Sequence, residues 1–124
     1  MGVFISKPVK KWMTKQRDIT IDSMLKAADE ITRGQYDGDL GGGVFKKRIA
    51  NRKGRSKRGC SRLIIAYKQG SHTFFLFAYN KNDVENVTPV EKKALQVRAK
   101  LYFGFSKAEL SKAVDAEILF KIRS

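Results

Sequence analysis

The chain has 124 residues, 42% of them hydrophobic, which suits one domain spanning 1-124 around a single core. Its 26 Lys and Arg against 12 Asp and Glu give a net charge of +14, so a polyanionic partner is expected. One cysteine, Cys60, and one histidine exclude an internal disulfide and a Cys/His metal cluster, and no apolar run is long enough to span a bilayer, so a soluble cytoplasmic protein without membrane contact is expected.

Val3 to Ser6 reads as a short first strand. Pro8 stands where a helix begins, and Val9, Trp12, Met13 and Gln16 follow at the spacing of one helical face. Thr20 is a candidate cap for a second helix with the stripe Ile21, Met24, Leu25, Ala28 and Ile31, ended by Gly34. Tyr36 to Asp39 reads as a turn-rich link.

From Leu40 to Asn82 the chain carries eleven Lys or Arg and no Asp or Glu, leaving the rest close to charge balance. The charge excess is therefore local, and it falls on segments patterned as strands. Behind the triplet Gly41-Gly42-Gly43, strand alternation puts Val44, Lys46 and Arg48 on one face and Phe45, Lys47 and Ile49 on the other. Arg62 to Tyr67 and Thr73 to Tyr79 are β-branched and aromatic, and read as a hairpin buried on parts of both faces. Between the first two strands, 51-59 holds Arg52, Lys53, Arg55, Lys57 and Arg58 with two glycines and no apolar anchor, and reads as a mobile basic loop.

Further on, Thr88-Pro89-Val90-Glu91 has the form of a capping box opening a helix, with Val90, Ala94, Val97 and Leu101 expected as its inner face and Gly104 as its end. Ser106 to Glu109 is a second box, opening a helix through Leu110, Ala113 and Val114, and Ile118 to Ile122 closes the chain as a strand. The order β-α-α-β-β-β-α-α-β gives an α+β fold: a small, mostly antiparallel sheet with the N-terminal helices packed on one face.

A metal-dependent nuclease presents clustered carboxylates, and the basic strands have none in sequence. RNA offers a metal-free route: its own 2′-OH attacks the adjacent phosphate if one group removes the proton, cations hold the phosphorane, and another group protonates the leaving 5′-oxygen. No cofactor is expected. Arg62 offers a planar fork to two phosphate oxygens, and Arg48 does likewise from the adjoining strand. Lys46 is the candidate base, since crowding by Arg48, Arg62 and Lys47 disfavours its charged form.

The glycine-rich approach to Val44-Phe45-Lys46-Lys47-Arg48-Ile49, then Arg62 opening an apolar strand, then Phe77-Ala78-Tyr79-Asn80-Lys81-Asn82, resembles the RelE/ParE superfamily of bacterial type II toxins, closest to RelE- or HigB-like members. The resemblance implies the same architecture and a metal-free, ribosome-dependent mRNA endonuclease of the bacterial cytoplasm, held inactive by an antitoxin from an adjacent gene. It carries Lys46, Arg48 and Arg62 into site roles. Members of this superfamily often have an Arg after the last central strand and a Tyr toward the C-terminal side, where this chain has Lys81-Asn82 and Val87-Thr88. The leaving-group acid is therefore sought in Tyr79, Lys81 and His72, in that order, His72 reading first as an exposed turn residue. Lys47, Arg52, Lys53, Arg55, Lys57, Arg58 and Asn82 are the expected further RNA contacts, with Lys47 reaching water along its stem. Two other readings use the same residues: a ParE-like toxin that poisons gyrase, and a non-catalytic basic nucleic-acid-binding module, which lacks the interleaved aromatics for stacking bases.

Overall fold

The first strand, β1 (Val3–Ser6), is buried along its whole length, the signature of a strand covered on both faces. The computed structural model describes residues 2–16, 19–50, 60–80 and 87–124. After β1 come α1 (Lys7–Thr14), α2 (Ile21–Thr32), β2 (Gly38–Gly41), β3 (Val44–Ala50), β4 (Cys60–Ala66), β5 (Thr73–Asn80), α3 (Pro89–Phe103), α4 (Lys107–Asp115) and β6 (Leu119–Arg123). The strands form one mixed sheet ordered β2-β3-β4-β5-β1-β6. Among the described residues only β1 and β5 run parallel; the other pairings are antiparallel.

Helices cover both faces. Val9, Met24, Ala28 and Ile31 of α1 and α2 pack with Leu63, Ile65 and Phe75, whereas Leu95, Ala99, Tyr102 and Leu110 of α3 and α4 pack with Val44, Ile64, Phe74 and Leu76. The N-terminal helices thus lie on one face as expected, and the second helical layer is the addition. Its cause lies in α3, whose expected inner stripe faces outward: Val90 is 81% exposed, Val97 63% and Leu101 57%. Leu95, Ala99 and Tyr102 are buried in their place. Both sets recur at helical spacing, so periodicity alone selects neither phase.

The caps match the sequence reading more closely. Thr20, Thr88 and Ser106 each accept from the third residue of their helix and complete capping boxes with Ser23, Glu91 and Glu109. The link expected at Tyr36 to Asp39 instead runs into the edge strand β2, whose Gly and Asp residues give little strand signal.

His72 departs from an exposed turn. Its Nδ1 accepts the backbone N–H of Gly2 at 2.9 Å, and its ring meets Phe4 edge-on with centroids 5.4 Å apart. Burial first, then nearby positive charge including Lys121, holds its pKa below the ordinary 6.5. The unfolded chain therefore takes up the proton more readily. Stability is full above the ordinary value and falls as pH drops through it toward the folded pKa. Thermal unfolding between about pH 7.5 and 5 should lose stability more steeply in the wild type than in His72→Gln, which does not titrate there. Equal slopes would remove His72 from this role.

Candidate active site

Strand register assembles the basic residues. Across β3 and β4, Arg48 lies opposite Arg62, and across β4 and β5, Arg62 lies opposite Tyr79. These three side chains form one row on the sheet face covered by α3. Lys46, two residues before Arg48 and paired with Ile64, shares that face about 7 Å along the strand.

Lys47 points the other way. Its Nζ lies 3.3 Å from Glu30 Oε1 on α2, so the charge is met by a carboxylate instead of snorkelling to water or joining the row. Of the three cations expected to crowd Lys46, Arg48 and Arg62 share its face and Lys47 does not. Lys81, Asn82, Arg52, Lys53, Arg55, Lys57 and Arg58 lie outside the described residues, and so does the 51-59 loop. His72 sits at the opposite end of β5, beside the Val3 and Thr73 pair, away from the row.

Arg62 is the least ordinary of the group. It is only 8% exposed, and among the described residues its Nη1 is buried with no hydrogen-bond partner. Leaving such a donor unmet costs about 1–3 kcal/mol, and a like charge directly across the strand adds to it. The two cations with carboxylate partners among the described residues are Lys47 and Arg123, the latter held by Asp29 at 2.6 Å. Among the described residues Arg62 is thus the one buried cation, and it has no carboxylate partner there.

Tyr79 is 4% exposed and packs near Phe77, with ring centroids 5.8 Å apart. Burial raises its pKa, opposed by the charge of Arg62 and reinforced by that of Glu91, so the phenol stays protonated at neutral pH. The start of α3 lies at this end of the row: Glu91 and Leu95 line a cleft with Phe77, whose ring packs near Tyr79.

Several positioning residues escape sequence reasoning. Asp37 extends the β2 edge: its N–H donates to the Lys46 carbonyl at 2.8 Å, and its Oδ2 accepts the Arg48 N–H at 2.6 Å. Gly38 pairs with Lys46, and a Cβ there would stand 3.3 Å from Lys46 Cε, so the missing side chain makes room for the lysine stem. Asn80 Oδ1 accepts from Ser61 Oγ at 2.8 Å and from Trp12 Nε1 at 3.3 Å, tying β4, β5 and α1 together on the sheet face opposite the row. These links join segments distant in sequence, which leaves no local pattern to read.

The row presents concentrated positive charge, one protonated phenol and one primary amine on a rigid sheet, a set suited to binding a phosphodiester and moving protons around it. No helix among the described residues is long and apolar enough to cross a membrane. No curated protein matches the chain significantly. The family described as the RelE toxin of RelE / RelB toxin-antitoxin system matches residues 1–122, a span that takes in both helical layers and the whole basic row. The chain therefore belongs to the RelE toxin family, whose members are paired with an antitoxin.

Proposed function

We propose that this toxin is a metal-independent endoribonuclease that cuts mRNA on the ribosome. The buried Arg62, whose Nη1 has no hydrogen-bond partner among the described residues and which stands in one row with Arg48 and Tyr79, carries the reading. A protein keeps a costly cation in an apolar layer where a ligand of opposite charge repays it. Lys46 takes the proton of the 2′-OH, whose oxygen then attacks the adjacent phosphorus. Arg48 and Arg62 hold the oxygens of the resulting phosphorane, where negative charge grows. Tyr79 gives its proton to the departing 5′-oxygen. The bond to that oxygen breaks, and the products are a 2′,3′-cyclic phosphate and a 5′-hydroxyl end. Cations occupy the positions where a metal-dependent nuclease would present carboxylates.

Induction in cells without the antitoxin, with RNA 5′ ends mapped, tests this. New 5′-hydroxyl ends should appear inside translated reading frames and vanish from a message whose start codon is removed. Arrest without new ends would favour the gyrase reading. Normal growth at high levels of folded protein would count against both.

A further inference from the structure

The row leaves the outer face of α3 unused. Val90, Ala94, Val97 and Leu101 recur there as one helical stripe, exposed to solvent. Beside its C-terminal half lies a cleft of about 660 Å³ between α3 and the β2–β3 hairpin. Val97 and Phe103 give this cleft apolar walls, Gly42 and Gly43 form its far side, and Lys68, Lys93 and Lys100 rim it. The hairpin is seated tightly: a Cβ on Gly43, at φ 80°, would stand 2.9 Å from the Phe103 ring. Gln96 Nε2 ties α3 to the hairpin by donating to the Leu40 carbonyl at 2.7 Å.

We infer that this stripe and cleft are the docking surface for an acidic amphipathic helix of the antitoxin, an assignment that rests on the toxin reading and adds where the partner sits. Aliphatic residues at one helical phase suit helix-on-helix packing, and a side chain of the incoming helix has the cleft to enter. Lys93, Lys100 and Lys68 along one border match carboxylates flanking the partner's apolar face. A second copy of this chain is the poorer occupant, because it would oppose these lysines with a molecule of charge +14. RNA is poorer too, since the exposed stripe is aliphatic and the aromatic wall of the cleft, Phe103, already lies under the Lys68 ammonium, 5.0 Å from its ring centroid. The two ends of α3 give the surface its regulatory meaning. Phe103 abuts the glycine hairpin, while Glu91, about 18 Å away along the helix, lines a second cleft with Phe77, whose ring packs near Tyr79, so the stripe runs from the hairpin to the Tyr79 side of the row.

The test uses the full-length toxin and the protein encoded by the adjacent gene. Val97→Glu combined with Leu101→Glu alters exposed positions, so folding is preserved, and affinity for the antitoxin should fall by about 100-fold or more. Lys93→Glu with Lys100→Glu should slow association and flatten its salt dependence. Translation arrest by both free variants should equal that of wild type. Wild-type affinity in the Val97/Leu101 variant overturns the assignment, as does failure of the adjacent gene product to bind wild type. Anionic phosphatidylglycerol vesicles or ribosomal RNA captured by wild type and lost by the Val97/Leu101 variant, with antitoxin binding intact, would reassign the face and overturn it equally. RNA cleavage is scored separately on the free toxin, so a failed nuclease reading and a failed docking surface give different results.

Discussion

Lys46→Ala should lose cleavage by about 10²–10⁴-fold while binding to ribosomes stays close to wild type, because a positioned base acts on rate and one phosphate contact among many adds little affinity. The sharper substitution is Lys46→Arg. It keeps the positive charge on the same strand face, yet a guanidinium stays protonated and takes up no further proton. Cleavage should therefore be lost again. Activity in Lys46→Arg would show that Lys46 supplies field instead of a base, and the base would have to be sought elsewhere in the row. Lys47→Ala is the control from the neighbouring position. Its side chain meets Glu30 on the other face of the sheet, so cutting should proceed at close to the normal rate with a stability loss of about 1 kcal/mol. Single-turnover cleavage with ribosome co-sedimentation separates these outcomes. A dead Lys47→Ala beside an active Lys46→Ala would reverse the faces assigned to β3.

Much of the arrangement was readable from residues alone where local chemistry decides the structure. The three caps depend on a hydroxyl and the residue three positions on, and period-two alternation placed Lys46 and Arg48 on one face of β3, where register then brings Arg62 opposite Arg48. Local chemistry falls silent where long-range contacts choose between equals. Helix α3 carries two apolar stripes, and only the sheet's second face selects Leu95, Ala99 and Tyr102 over Val90, Val97 and Leu101. Strand β2 exists because Gly38 and Asp39 pair with Lys46 and Phe45, although neither residue favours a strand. Lys47 finds its partner Glu30 on α2, a contact that only the packing of α2 on that face creates. The site shows the same division: its cations were visible, and their supports at Asp37, Gly38 and Asn80 were not.

Arg62→Met should abolish cleavage and raise thermal stability together. Arg62 is 8% exposed, lies opposite Arg48 across the strands, and leaves Nη1 without a hydrogen bond among the described residues. Methionine keeps an unbranched stem of similar reach while removing the unmet donors and the cross-strand repulsion. Relief of about 1–3 kcal/mol follows from the unmet donor alone. At about 4 °C per kcal/mol for a domain of this size, the shift is readily measured by thermal unfolding. Gain of stability with loss of function is the mark of a residue held in place for its chemistry. Loss of both would instead make Arg62 a packing residue, and its inactivity would then say nothing about phosphate. Arg62→Lys completes the comparison: it retains the charge and loses the planar fork, so cleavage should drop sharply if two phosphate oxygens are held at once. An unchanged rate in Arg62→Lys would mean that the row acts through its field, with Arg62 contributing charge and no geometry.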